Sequence, residues 1–313
     1  MKSFPSHQRL VIFLLLVLAL TCALSPWLAL GADWAQARWP GLIDERIPFP
    51  RVFNRAFMIA GFIMFIVCRR WLLADELKAL VVVDQRSAAR GLAIGLGLSI
   101  ASMILLVVVM SAVDVYTPFF RVSFGDAVGR FFSALAAGAF AGFLEEVFFR
   151  GILFQGLRQE GRVLRAYIFA NLFYSALHFV KPGESYFLDG TQPLAGFKHL
   201  LTTFAPFLDP LPLLPGIFGL FLIGVVLSFA LARTGNLYLA VGLHAGWVFS
   251  LKMLRVFGDF TRAELGWAFG STDPKIVSGV ATWVGILLVG VAIYHLTRRR
   301  ADLLAGRPRA REA

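Results

Sequence analysis

Charged side chains are scarce in this chain. They make up 16% of its 313 residues, whereas soluble domains carry about 25%. Hydrophobic residues make up 58%, and the mean hydropathy is +0.74. These values exclude an ordinary soluble domain and predict a protein that resides in a lipid bilayer.

Cysteine and several catalytic motifs are also lacking. The two cysteines, Cys22 and Cys68, fall in apolar runs and are predicted to be small apolar residues rather than a disulfide. The sequence contains no G-x-S-x-G elbow, no H-E-x-x-H helix and no Walker motif. A serine hydrolase of the elbow type, a typical zinc protease and an ATP-driven device are therefore unsupported.

Long apolar runs predict an all-α fold, a polytopic transmembrane helical bundle of about eight spans. A helix needs about 20 apolar residues to cross a bilayer. The predicted spans cover residues 10–30, 52–72, 91–116, 130–157, 164–180, 212–233, 236–257 and 276–296.

The chain has a net charge of +11, and its positive residues are distributed as this topology predicts. Arginine and lysine concentrate in alternate loops, as the positive-inside rule expects of an even number of spans with both termini cytoplasmic. The basic loops therefore indicate contact with the anionic lipid bilayer, and no nucleic-acid partner is predicted.

One apolar run contains three ionisable side chains, Glu145, Glu146 and Arg150. Such groups cost about 2.5–3.5 kcal/mol each at a bilayer centre, so a chain that keeps them pairs them or uses them. Glu146 and Arg150 stand four residues apart and are predicted to pair on one helix face. Glu145 lies about 100° round the helix, where it can serve as a buried general base.

Two histidines also fall inside apolar spans, His178 and His244. Inward-facing polar residues of a bundle tend to meet, because lipid offers them no partner. We therefore expect Glu145, His178 and His244 to converge. Glutamate-activated water with histidines at the oxyanion is the favoured chemistry, and it requires no cofactor. Zinc bound by the same three residues, with an open position for water, is the alternative.

Three motifs resemble those of the CAAX-protease and bacteriocin-processing family of intramembrane endopeptidases, also called the Abi family. The string EEVFFR at 145–150 resembles its E-E-x-x-x-R motif, and YSALH at 174–178 resembles F-x-x-x-H. The string TGNLYLAVGLHAGWV at 234–248 is similar to its last motif, a T-G-x-L lead followed by H-x-x-x-N.

The resemblance implies a helical-bundle protease that cleaves a membrane-associated peptide or prepeptide near the membrane surface. It implies that Glu145 is the general base and that Glu146 and Arg150 support it. His178 and His244 would lie at the water and the oxyanion. It divides the chain into an N-terminal region of about three spans at 1–129, a protease core at 130–257, and a last span with a basic tail at 258–313. A bacterial cytoplasmic membrane is the expected location.

One position departs from the family pattern. Val248 stands where the family has an asparagine whose amide would donate to the oxyanion, and losing one such donor can cost about 10²–10³ in rate. Asn171, Asn236, Ser175 or a backbone amide would have to substitute. Asn171 is the best candidate because it precedes His178 by two helical turns. The hydroxyl of Tyr174, which replaces the family's phenylalanine, is a second possible support.

Two readings from other classes stay open beside the endopeptidase. A catalytically weak or inactive relative could act as an immunity factor or a scaffold, and Val248 favours it. A transporter could use Glu145 and the histidines as a proton relay, but the sequence lacks the two related halves that many transporters show. The oligomeric state is not predicted.

Overall fold

The structure is a computed structural model that describes residues 6–40, 45–72, 75–159, 161, 163–180, 185–262, 264–270 and 276–305. It divides into two compact units, and each of them is discontinuous in sequence. The first contains Met1–Ala74 and Ala176–Leu213, and the second contains Asp75–Ser175 and Leu214–Ala313. The three-part division expected from the sequence stays a prediction, and residues 306–313 of its basic tail lie outside the described residues.

The first unit contains two long helices and an insert of loops and short helices at residues 185–213. Its helices are α1 (Ser6–Arg38), α2 (Phe49–Leu72) and α9 (Ala195–Thr202), followed by a 3₁₀ turn at Ala205–Leu208. The carboxylates of Asp33 and Asp189 both accept hydrogen bonds from Arg46, so this arginine ties the insert to the end of α1. Cys22 and Cys68 are both free thiols.

An imidazole lies at the centre of this unit's core. His199 of α9 is 1% exposed, and its ring contacts those of Phe49 and Phe53 at centroid distances of 5.5 and 4.8 Å. Its Nδ1 lies 3.2 Å from the hydroxyl of Tyr186. Burial lowers the pKa of His199, because the apolar surroundings disfavour the protonated ring.

This burial generates a pH dependence. Below the ordinary histidine pKa of about 6.5, the unfolded chain binds a proton that folded His199 resists, so the free energy of unfolding falls as the pH falls. We expect the thermal midpoint to decrease between pH 7 and 5, and to decrease less in His199→Phe. His295→Phe, at an exposed position on α13, is the control and should keep the wild-type slope. Equal slopes in all three proteins would contradict the assignment.

The second unit contains most of the transmembrane helices. They are α3 (Asp75–Val81), α4 (Gln85–Ala112), α5 (Phe124–Glu146), α6 (Gln155–Gln159), α7 (Val163–Arg165), α8 (Asn171–Leu177), α10 (Leu214–Thr234), α11 (Tyr238–Leu254), α12 (Gly266–Phe269) and α13 (Val280–Ala305). Asp84 caps α4 by accepting from the amides of Arg86 and Ser87, and Ser123 caps α5. Gly235, at φ +70°, ends α10 and donates back to the carbonyl of Leu231.

The all-α polytopic bundle predicted from the sequence is confirmed. Six described helices are long and apolar enough to cross a membrane: Gln8–Arg38, Phe49–Cys68, Gln85–Ala112, Phe124–Arg158, Leu211–Thr234 and Val280–Arg298. Two shorter apolar helices, Val163–Leu177 and Tyr238–Leu254, coincide with the two remaining predicted spans. The membrane orientation of the termini stays a prediction.

Helix α11 lies between α4 and α5 at backbone distance on both sides. A Cβ atom built on Gly138 or Gly142 of α5 would lie 2.6 to 2.9 Å from backbone atoms of Ala245. On the other side, a Cβ on Gly95 of α4 would lie 2.5 Å from the carbonyl oxygen of Leu239. Close approach of this kind is how helices associate in lipid, where van der Waals packing replaces water exclusion.

On α11, Gly242 and Gly246 repeat the four-residue spacing of Gly138 and Gly142 on α5. The two helices do pack together, but Gly242 and Gly246 face α4 instead, against Leu92 and Ser99. Spacing alone reveals a small-residue face without saying which helix covers it.

A matched pair of glycines on α4 tests this packing. Gly95→Ala should lower the free energy of unfolding by about 1–3 kcal/mol, the usual cost of overpacking. Gly97→Ala on the same helix is the control, because nothing lies within 4 Å of its built Cβ. Thermal unfolding in detergent measures both. Similar midpoints for the two variants would contradict the close packing.

A two-stranded antiparallel ribbon lies outside the helices. It joins β1 (Tyr116–Pro118), which follows α4, to β2 (Gly258–Phe260), which follows α11. The predicted third span ran through Tyr116, whereas α4 ends at Ala112 and Asp114 turns the chain at φ +56°. The Tyr116 hydroxyl donates to the carbonyl of Leu254, so the ribbon fastens the ends of α4 and α11 together.

Candidate active site

The two adjacent glutamates end helix α5 inside the second unit. Glu146 is its last α-helical residue, and the chain continues as a π-helical segment, Val147–Phe154, which carries Arg150. In this segment the amide of Gln155 bonds the carbonyl of Arg150, five residues earlier. Single π turns inside α-helices occur frequently at functional sites.

Glu146 is held by two other elements of its own unit. Its Oε1 accepts from Nη1 of Arg150 at 3.0 Å and bonds Nδ1 of His244, on α11, at 2.8 Å. The side chains of Glu146 and Arg150 are 0% exposed, and that of His244 is 6% exposed. The predicted Glu146–Arg150 pair is therefore present.

The His244–Glu146 bond was not foreseen from the sequence, which placed His244 at the water instead. It fixes the histidine tautomer, because a carboxylate only accepts and Nδ1 must therefore carry a proton. In the neutral ring, Nε2 is then an acceptor. No sequence signal could have revealed this bond, because it depends on how α5 is rotated against α11.

Glu145 has a different environment from its neighbour. Its side chain is 33% exposed, and its Oε2 lies 3.8 Å from Nε2 of His244. One imidazole thus lies between two carboxylates, bonded to Glu146 through one nitrogen and facing Glu145 with the other. The two glutamates differ in burial and in partners, as paired carboxylates with separate roles do.

An aromatic ring covers the ion pair. Tyr174 of α8 is 2% exposed, and the guanidinium of Arg150 lies 4.2 Å from its ring centroid. The same ring meets the imidazole of His244 edge-on at 6.3 Å. A cation over an aromatic face in a desolvated site contributes about 2 kcal/mol, so Tyr174 adds to the stability of the buried charge.

Helix α8 also positions Asn171, which the sequence offered as oxyanion support. Its Nδ2 donates to the carbonyl of Tyr167 at 2.8 Å, and its Oδ1 accepts from the hydroxyl of Ser228 on α10 at 3.0 Å. The second bond links α8 to α10. The catalytic role of Asn171 stays a prediction, as does that of Tyr174.

His178 follows the end of α8. The predicted span continued to residue 180, whereas the helix ends at Leu177 and His178 occupies a turn in which Phe179 bonds back to Ala176. His178 is exposed and belongs to the first unit, and its role also stays a prediction.

Val248 lies one helical turn after His244 on α11 and is half-buried. Its side chain has no hydrogen-bond donor at the position of the family's amide. For zinc, no group of three His, Cys, Asp or Glu side chains in the described part of the chain is arranged to hold a metal ion.

These residues lie in a segment that matches a known protein family. Residues 127–250 match the family model described as type II CAAX prenyl endopeptidase Rce1-like. This segment of the chain is similar to the Rce1-like endopeptidases. The match covers well under half of the chain and contains both glutamates, Arg150, His178 and His244. It confirms the resemblance noted from the motifs, and at the level of the family it supports a membrane protease.

No curated protein and no solved structure matches the chain significantly. The Rce1-like assignment therefore concerns the segment that contains the site.

Removing one partner of the buried ion pair tests how it contributes to stability. Arg150→Met should lower the free energy of unfolding by about 3–5 kcal/mol, because it leaves Glu146 as an uncompensated buried charge. Glu146→Gln/Arg150→Met should recover much of that loss, since no charge is then stranded.

The matched control is Arg121→Met, at a part-exposed ion pair with Asp259 whose atoms are 3.4 Å apart. Exposed pairs contribute about 0–1 kcal/mol, so this variant should be close to wild type. Thermal unfolding in detergent compares all four proteins. Equal losses for Arg150→Met and Arg121→Met would contradict the assignment of Arg150 as a buried partner.

Proposed function

We propose that this protein is an intramembrane endopeptidase that hydrolyses a peptide bond near the membrane with glutamate-activated water. The observation that carries the proposal is the contrast between the glutamates. Glu146 is fully buried and held by Arg150 and His244, whereas Glu145 is one-third exposed beside the second nitrogen of the same imidazole. A general base has to reach both water and substrate.

We place the reacting water beside both Glu145 and His244. Their facing atoms, Oε2 and Nε2, are 3.8 Å apart, which is too long for a direct hydrogen bond. One water can donate a hydrogen bond to each of two acceptors at this separation. Glu145 takes its proton as the oxygen attacks the peptide carbonyl. That proton then passes to the leaving amine as the C–N bond breaks.

The remaining residues support this step. Arg150 neutralises Glu146, and Glu146 fixes the tautomer in which Nε2 of His244 faces the water. In this account the neutral imidazole accepts from the water, so the oxyanion donor has to come from elsewhere. His178, Tyr174 and Asn171 are the residues we assign to that role, in place of the amide missing at Val248.

The substrate we propose is a membrane-associated peptide or prepeptide that reaches the site from the bilayer or its edge. The family description names a prenyl endopeptidase, so a prenylated C-terminal peptide is one candidate of this class. The charge distribution supports cytoplasmic termini, and we place the protein in a bacterial cytoplasmic membrane.

A catalytically weak or inactive relative that acts as an immunity factor or scaffold is the second candidate. Val248 favours it, because valine cannot donate to an oxyanion and one missing donor can cost about 10²–10³ in rate. The buried Glu146–Arg150–His244 cluster is compatible with either function.

The test compares membrane proteomes of cells that express wild type, Glu145→Gln or Glu264→Gln. Glu145→Gln removes the base with little change in volume, so we expect peptides or shortened termini present with wild type to disappear. Glu264→Gln is the control, since its exposed carboxylate pairs with Arg262 outside the site, and it should match wild type.

Full cleavage by Glu145→Gln at a confirmed substrate would exclude Glu145 as the base. If all three proteomes show the same peptides while the three proteins insert into the membrane equally, the non-catalytic function is favoured. Val248→Asn then distinguishes a weak enzyme, in which the restored amide should produce new cleavage products, from a protein with no peptidase activity.

A further inference from the structure

Helix α3 contacts both elements that carry the buried ion cluster. It is a seven-residue helix just before α4, with Leu77 and Leu80 buried at 4% and 7% exposure. All of these elements belong to the second unit. Neither the proposed chemistry nor the family motifs include α3, although its buried side chains point at the framework of the site.

The first contact is with the π-helical segment beside Arg150. Gly151, the residue after Arg150, is buried. A Cβ built on it would lie 2.6 Å from Cδ1 of Leu77 and 3.5 Å from Cδ1 of Leu237. The leucine of α3 therefore rests directly on the backbone of the segment that carries Arg150.

The second contact is with the start of α11. The amide of Leu237 donates to the carbonyl of Leu80 at 3.2 Å, and the hydroxyl of Tyr238 donates to the carbonyl of Val81 at 2.7 Å. Carbonyls at the end of a helix lack partners within that helix, and these two bonds supply them. The start of α11 is thereby fixed to the same short helix.

These contacts affect the two hydrogen bonds that Glu146 makes with Arg150 and His244. Arg150 is adjacent to Gly151, and His244 lies less than two helical turns after Tyr238. Both side chains meet on Oε1 of Glu146, at 3.0 and 2.8 Å. A shift between the π-helical segment and α11 would lengthen at least one of these bonds. Hydrogen bonds of this kind have lengths of about 2.7–3.2 Å, so a shift of a few tenths of an ångström weakens them.

We propose that α3 is a positioning clamp for the site, in which Leu77 and Tyr238 are positioning residues that hold Arg150 and His244 in register around Glu146. This rests on the proposed function for its catalytic consequence, but the clamp itself is a statement about geometry. Misplacement by about 1 Å can cost about 100-fold in rate, so a contact remote from substrate can govern turnover.

A size swap across the contact tests the clamp. Leu77→Ala removes the side chain that rests on Gly151, and Gly151→Ala adds a methyl group where that side chain lies. Leu77→Ala should disturb the site, and Gly151→Ala should disturb it less because the flexible end of Leu77 can shift. Leu77→Ala/Gly151→Ala should recover part of the loss, because the new methyl group occupies part of the space that leucine vacates. Tyr238→Phe removes only the hydroxyl. It therefore tests the clamp even if Leu77→Ala does not fold. Leu106→Ala, at a buried leucine near the ribbon, is the control.

The first readout needs no substrate. In the full-length protein labelled with ¹⁵N-histidine, the two ring nitrogens of His244 are identified by their loss in His244→Gln. Their chemical shifts distinguish the protonated Nδ1 from Nε2. In Leu77→Ala and Tyr238→Phe we expect the two shifts to move towards each other, as both tautomers become populated. The shifts should return towards the wild-type values in the double variant, and the wild-type values should persist in Leu106→Ala. Unchanged shifts in Leu77→Ala and Tyr238→Phe would overturn the clamp.

The second readout is turnover of a quenched fluorescent peptide that ends in a prenylated CAAX sequence. We expect kcat to fall by about 10- to 100-fold in Leu77→Ala with little change in KM, and to recover in part in the double variant. Additive losses in the double variant would overturn the clamp. If wild type does not cleave this peptide while the histidine shifts behave as expected, the clamp stands and the proposed function fails for this substrate.

Discussion

A buried carboxylate at Glu146 is the constraint on which the rest of the second unit depends. An isolated charge there would cost several kcal/mol, so the fold has to bring cations or donors to it from elsewhere. Arg150 comes from the next turn of the same chain segment, and His244 comes from α11. Tyr174 then excludes solvent from the arginine. Two helices and a π-helical segment are thus fixed around one oxygen atom.

The close contacts between α11 and the glycines of its neighbours help bring His244 to Glu146. A hydrogen bond of 2.8 Å between α5 and α11 requires the two backbones to be close, and Gly138 and Gly142 allow that approach. On its other face α11 meets Gly95 of α4 equally closely. Packing at backbone distance leaves little freedom for the helix to rotate. The orientation of His244 is therefore set by small residues that take no part in chemistry.

The spacing of residues along the sequence predicted the features that form within one segment. It did not predict the features that depend on how separate segments pack together. Apolar run lengths located the helices, and the four-residue spacing of Glu146 and Arg150 gave their pairing. The bond from His244 to Glu146 depends on helix rotation, which no single segment encodes. The π-helical segment has no compositional signature, because the same apolar residues suit either helix. The end of α8 before His178 depends on a turn that hydropathy cannot detect.

The helices that carry Tyr174 and His244 are shorter than the bilayer is thick. Seventeen residues of α-helix, as in Tyr238–Leu254, rise about 25 Å, against a hydrocarbon core of about 30 Å. A short apolar helix is accommodated by thinning of the surrounding lipid, by snorkelling of its flanking residues or by oligomerisation. Hydrolysis consumes water, a reagent that hydrocarbon excludes. Thinning of the lipid beside these two short helices would bring water closer to the glutamates, as the proposed hydrolysis requires.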